Sequence, residues 1–221
     1  MGSKSTTTLV LSLAAFVFFL IAATYFDSFY AFLTDESQGV EILTAIFYIC
    51  GGVVLIRTGY PIVKSGKFFD AAFIFLLGAF FIFVGGEEES WGQWIFNFST
   101  PQQLSDINYQ QEVNIHNLDF FSGAFSAHTI LNLFVIVYGI LIPVLYARLD
   151  KLKIFLDNIR FPVIPQHLIS IFIIGFIYEK VLYRTDASEA WRHTEVTEFF
   201  FATGFLSFCI FYFSSRDRSP V

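Results

Sequence analysis

Three short stretches carry the residue types that could do chemistry. The first is VGGEEESWGQW, residues 84–94. There Glu87, Glu88 and Glu89 end a run of Phe, Ile, Leu, Ala and Gly with no basic residue beside them. Carboxylates in so apolar a setting are costly unless they meet water, a metal, protons or a partner. The second is QQEVNIHNLDF, residues 110–120, where Gln110, Gln111, Glu112, Asn114, His116 and Asn117 are interleaved with Val113, Ile115 and Leu118. An extended backbone puts Glu112, Asn114 and His116 on one side, and a helical one pairs Glu112 with His116. The third is WRHTEVTEFF, residues 191–200, where Glu195 and Glu198 share a helix face and His193 precedes them.

Carboxylates with imidazole are ligands for zinc, iron or manganese, and a buried carboxylate can serve as a general base. The candidate ligands for a divalent transition metal are Glu87, Glu88, His116, His193, Glu195 and Glu198. The candidate catalytic groups are Glu88, Glu112 and His116. Glu41, Trp91, Gln93, Gln111, Asn114 and Asn117 are supporting candidates. The spacing H-x-E-x-x-E matches neither a zincin HExxH nor a di-iron ExxH pair, so spacing alone is a weak metal signal.

Each stretch also has a plainer reading. Glu41, Glu195 and Glu198 could sit at helix N-termini, where the macrodipole favours anions and Ser37 and Thr194 could help cap. Glu87, Glu88 and Glu89 could form a wet acidic rim with Trp91 and Trp94 in an interfacial belt. Three consecutive helical residues spread over about 200°, so they cannot all face one partner. His128 and Asn132 read as a hydrogen-bonding pair between helices, and Glu179 with Lys180 as an interfacial ion pair.

The elements that position these residues follow from composition. The chain has 221 residues, more than half hydrophobic, and includes 31 Phe. A soluble domain of this size could not bury so many, so the expected solvent is a bilayer and the whole chain, 1–221, reads as a single integral membrane domain. A spanning helix needs about 20 apolar residues. Six candidates stand out at 8–26, 40–58, 68–87, 126–147, 163–183 and 197–214. The first run is long for a signal peptide and lacks a clear cleavage site, so a retained helix is expected. Met1-Gly2 fits a myristoylation pattern that a spanning helix makes redundant.

With the N-terminus inside, Lys4, Arg57, Lys64, Lys67, Arg148, Lys151, Lys153, Arg160, Arg216 and Arg218 fall on the inner side. Lys180, Arg184 and Arg192 fall outside. That bias obeys the positive-inside rule for every loop. The expected fold class is an all-α membrane protein: a six-transmembrane helix bundle with both termini cytoplasmic. A long outer loop, 97–125, would pack over the helix ends, with a short helix starting at Pro101 behind a Ser99 or Thr100 cap. The acids, including Asp35, Glu36, Glu41, Asp119 and Glu179, then sort to the outer face, with His116, His128 and His193.

Cys50 and Cys209 lie in apolar runs and suggest neither a disulfide framework nor a thiolate metal site. The acidic balance, pI about 5.1, points to no nucleic-acid partner. The expected partners are membrane lipids and, in one reading, protein subunits.

GEEESWGQ followed by QEVNIHNL resembles a motif pair, GEExSWGQ and QxExNxHN, of uncharacterised multi-pass bacterial membrane proteins. The matching residues are Glu87, Glu88, Ser90, Trp91, Gly92, Gln93, Gln110 or Gln111, Glu112, Asn114, His116 and Asn117. Glu41, Glu195 and Glu198 match acidic helix starts. Glu89 departs from the pattern, which has an apolar residue there. The resemblance implies a bacterial inner membrane and a shared site, without naming an activity.

Three functions remain open. The chain could be a metal-dependent enzyme acting on a lipid or lipid-linked substrate. It could be a structural or accessory subunit of a larger membrane complex, with a docking or pigment-holding role. It could be a transporter or proton path, though few polar residues lie at mid-membrane.

Overall fold

A computed structural model describes residues 3–35, 39–121, 125–185 and 190–216. Glu36, Ser37, Arg218 and the Met1-Gly2 pattern lie outside the described residues. The described chain is helical. Its helices are α1 Ser3–Tyr25, α2 Asp27–Thr34, α3 Gly39–Lys64, α4 Phe68–Glu88, α5 Gln93–Phe96, α6 Gln102–Ser105, α7 Ala127–Phe134, α8 Ile142–Arg148, α9 Asp150–Asn158, α10 Ile169–Thr185 and α11 Ala190–Arg216. A π-helical stretch, Val135–Leu141, joins α7 to α8. Pro143 in the first turn of α8 has no N–H to return to the preceding turn, and a π-turn absorbs such a defect.

Six helices are long and apolar enough to cross a membrane, which is compatible with a multi-pass membrane protein. Their outer faces carry exposed apolar side chains such as Leu11, Phe18, Leu76 and Leu133. Lipid tails make such a surface inexpensive, so association of the helices must come from close packing.

The closest packing is between α3 and α4. Ala45, Gly52 and Gly59 recur every seven residues on α3, and Ala71, Gly78 and Gly85 recur likewise on α4. The two rows meet in antiparallel register. A Cβ on Gly52 would lie 2.5 Å from the Gly78 carbonyl oxygen, and one on Gly85 would lie 2.7 Å from that of Ala45. Against this pair packs α11, whose other side meets α10. The core they share is aromatic: Tyr48, Phe81, Phe172, Phe201, Phe205 and Phe208 are buried. Tyr48 stacks near both Phe81 and Phe205, with ring centroids 5.8 and 6.1 Å away.

Two boundaries differ from the sequence expectation. The last helix begins at Ala190, not near 197. Glu195 and Glu198 therefore lie beyond the first turn, where the helix dipole has faded, and they are not N-terminal caps. Thr194 bonds back to the Ala190 carbonyl within the helix at 3.2 Å. The fifth span has an extended approach, and its regular helix starts at Ile169, because Pro162 and Pro165 hold residues 161–165 out of the helix.

Gly52→Val is expected to destabilise the protein by at least about 1–3 kcal/mol, because the added atoms meet backbone that cannot rotate away. Gly39→Ala, whose new methyl would find its nearest neighbour at 3.8 Å, should leave stability unchanged or slightly higher. Thermal unfolding in a mild detergent compares the two, and equal melting of both variants would contradict the seam.

Candidate functional site

The helix α4 ends at Glu88 and the chain then turns sharply. Ser90, Trp91 and Gly92 all have positive φ, at 44°, 55° and 80°. Left-handed backbone is strained for Ser and Trp, so other contacts must hold it. The Trp91 indole donates to Glu87 at 2.7 Å. The Ser90 hydroxyl donates to Glu112 at 2.6 Å and accepts from the Asn114 amide at 2.9 Å.

Glu87 does more than hold Trp91. Its second oxygen accepts the backbone N–H of Ile115 at 2.6 Å and of His116 at 3.0 Å. The His116 ring lies 3.7 Å from the same oxygen. Gln93 accepts the N–H of Val113 at 2.8 Å and donates to Thr100 at 2.9 Å. Inside the loop, Asn108 donates to Asn114 and accepts from the N–H groups of Gln110 and Glu112. Thr100 bonds the Gln111 carbonyl at 2.6 Å and does not cap α6, whose cap position is Pro101. Residues 108–118 form neither strand nor helix; one isolated bridge pairs Asn108 with Leu118. The loop's shape is set by amide and carboxylate bonds in place of regular structure.

The three consecutive glutamates go three ways, as a 100° step requires. Glu87 binds the loop. Glu89 lies half-buried on the Glu112 side, where burial, and then the Glu112 charge, hold its carboxyl above the usual carboxylate range. Glu88 points to α11. There the carboxylates of Glu88, Glu195 and Glu198 approach so that one oxygen from each lies within 4.8 Å of the others. Oxygens bound to a metal at about 2.1 Å stand roughly 3–4 Å apart, so these three carboxylates are near enough to close on one ion with a small side-chain movement. Glu41, from the start of α3, is close enough for its charge to act on Glu88.

These acids line the head of a cavity of about 760 Å³. Glu112, His116 and Asn117 close it from the loop side. Phe80, Phe83, Val84, Ile130, Leu131 and Phe134 form its walls, from α4 and α7. Phe83 and Ile130 are also exposed at its rim, so the walls continue into the apolar outer surface. No Lys or Arg lines it among the described residues.

His128 is the group that sequence reasoning set aside. Its Nδ1 lies 3.0 Å from Glu198, and its Nε2 lies 2.8 Å from the Asn132 amide and 3.6 Å from Glu179. It does join neighbouring helices, as expected, but it does so at the edge of the carboxylate cluster. Glu179 also keeps its Lys180 partner at 3.0 Å. The only sequence signal was that all these residues lie at the same helix ends.

His193 goes elsewhere. It lies inside α11, not before it, and its Nδ1 lies 2.8 Å from the Tyr30 hydroxyl. The structure does not bring it to Glu195 and Glu198, because one helical step of about 100° per residue turns it toward α2. Of the other supporting candidates, Glu41 and Asn117 reach the cavity, while Trp91, Gln93, Gln111 and Asn114 hold the loop.

Glu87→Gln is expected to release the 112–116 segment, since an amide cannot accept all the bonds the carboxylate accepts. Hydrogen exchange at Ile115 and His116 should rise by at least about tenfold while the spans stay protected. Unchanged exchange would show that Glu87 does not anchor the loop. Glu89 sets a pH dependence. Its folded-state pKa is raised, so its contribution to stability is complete below the unfolded value and is lost as pH rises through the folded value. The melting temperature of Glu89→Gln should therefore gain on the parent's as pH rises from about 4 to about 8; a constant gap would contradict this.

No family model, no curated protein and no solved structure matches the chain, so the site is read from its own geometry.

Proposed function

We propose that this protein is an integral membrane enzyme that uses a divalent transition metal to act on a lipid or lipid-linked substrate. The observation that carries the reading is the approach of Glu88, Glu195 and Glu198 within 4.8 Å at the head of a cavity with apolar walls. Like charges this close must be relieved by a proton or a counter-charge, and carboxylate oxygens with a nearby imidazole suit manganese, iron or zinc as that counter-charge. A bound ion there would supply Lewis acidity and lower the pKa of water.

The chain's own residues have distinct parts. Glu88, Glu195 and Glu198 are the ligands. His128 orients Glu198 through its 3.0 Å contact and is the nearest imidazole to the set. Glu112 and His116 face the cavity from the loop and are the acid–base candidates. The segment 97–121 acts as a cover over the head of the cavity, fastened by Glu87, Ser90 and Gln93. A substrate would enter sideways between α4 and α7 from the hydrocarbon layer.

The bias of Lys and Arg supports placing both termini in the cytoplasm and the site at the outer face. A bacterial inner membrane fits that arrangement. Lipids are then the surroundings as well as the substrate pool.

Metal analysis by mass spectrometry on detergent-purified protein tests the reading. One equivalent of a transition metal is expected, falling at least about tenfold in a Glu195→Gln, Glu198→Gln double variant that still folds. Metal-free parent protein with no lipid turnover would overturn the proposal and return attention to an accessory-subunit role.

A further inference from the structure

Beneath the carboxylate cluster lies a polar atom that the site as described does not use. Tyr48 is 1% exposed, and its hydroxyl has no hydrogen-bond partner among the described residues. Its ring is held between Phe81 and Phe205. Glu41 and Tyr48 are seven residues apart on α3, two helical turns along one face. Phe81 lies seven residues before Glu88, and Phe205 seven after Glu198. The three rings thus form a layer below the acids, and the Tyr48 hydroxyl is close enough to feel the charges of Glu88 and Glu198. A buried phenol without a partner costs free energy; Tyr48 lies below the cavity lining, and a head that reached down between the acids would satisfy it.

The charge around that place is one-sided. Glu41, Glu88, Glu195 and Glu198 surround the head of the cavity, with Glu87 and Glu112 on the loop side. The two basic groups in the lining are imidazoles, each beside its own carboxylate: His128 by Glu198 and His116 by Glu87. Among the described side chains the nearby cations have carboxylate partners outside the cluster, Lys180 with Glu179 and Arg192 with Asp35. One divalent ion would not neutralise four carboxylates. Ionised carboxylates accept hydrogen bonds and donate none. Among the described residues an anionic head would meet the carboxylates and no Lys or Arg, while neutral donors such as Asn117, Ser126 and Thr194 are shared with any head.

We infer that the cavity takes a long-chain amphiphile whose head is a hydrogen-bond donor without negative charge, an alcohol or an amine, and not a phosphate or a carboxylate. The head sits among Glu88, Glu195 and Glu198 with the Tyr48 hydroxyl below it. The chain lies between Phe80, Phe83, Leu131 and Phe134. This deepens the enzyme reading by naming the substrate class, and it rests on that reading for the place of the head but not for its charge.

The test uses the full chain, as purified, in nanodiscs of zwitterionic lipid. Four probes share one saturated chain and differ in the head: primary alcohol, primary amine, carboxylate and phosphate monoester. Thermal stability is followed against probe concentration, and metal content is measured on the same sample. The alcohol and the amine should stabilise the protein at concentrations at least about tenfold below those needed for the two anions. Comparing the alcohol with the amine tells which donor head the site prefers.

Tyr48→Phe should weaken the better probe about fivefold, the loss of one hydrogen bond. Leu131→Trp, which fills the chain's place, should remove the stabilisation. The head-group comparison in the unaltered protein stands even if a variant fails to fold. Equal or stronger stabilisation by the carboxylate or phosphate overturns the inference, as does no stabilisation by any probe, an unchanged affinity in Tyr48→Phe, or a full response in Leu131→Trp. Bound metal with a preference for anionic heads sinks this inference and leaves the metal reading standing. Absent metal with a preference for donor heads does the reverse.

Discussion

Backbone contact between α3 and α4 sets the geometry of the site. Where Gly52 meets Gly78 and Gly85 meets Ala45, no side chain stands between the helices. Small residues let helices in a bilayer approach until dispersion forces and weak polar contacts hold them. That contact also fixes register. The same antiparallel pairing that joins Ala45 to Gly85 carries Glu41 to the level of Glu88, one turn further out. A slide of one residue along the seam would break the glycine contacts and separate those carboxylates. The aromatic layer of Tyr48, Phe81 and Phe205 packs directly below, so the acids stand on a rigid floor.

The second constraint is charge at the end of an apolar bundle. Six glutamates border one cavity, and the protein treats them differently. Glu87 is satisfied by backbone N–H groups and an indole, so it works as a fastener for the loop. Ser90 and Asn114 hold Glu112. Glu88, Glu195 and Glu198 are gathered together, and His128 meets the set at Glu198. The fold thus uses some of these carboxylates to fasten the loop and gathers three others between α4 and α11. The strained Ser90–Trp91–Gly92 turn belongs to the same division, because it swings the chain from α4 back over the cavity.

Much of this could be read in the sequence. The six apolar runs were legible because spanning depends on local hydrophobicity, and Trp91 and Gln93 were legible as partners of the acidic segment. The carboxylate row at 195 and 198 was legible as one helix face. Other features were not. The early start of α11 was hidden because the segment Trp191–Thr194 is too polar to extend an apolar run, yet it forms helix, with Arg192 and His193 bonded to α2. His128 looked like an ordinary interhelical pair, since its two glutamate partners, Glu179 and Glu198, lie on other helices. The seven-residue rows of small side chains were visible in principle and would have given the α3–α4 register.

What the sequence determined by itself was the number of apolar helices and the gathering of acids at their ends, because both are sums over neighbouring residues. Only the tertiary structure decided which carboxylates meet. Each helix is free to rotate about its axis and slide along its neighbour until specific contacts stop it. Here the glycine seam stops α4 against α3, and the aromatic core stops α11 against both. The loop's bonds to Glu87 and Ser90 then set how it lies over the cavity. Those choices rest on contacts between residues far apart in the chain, where spacing alone carries no information.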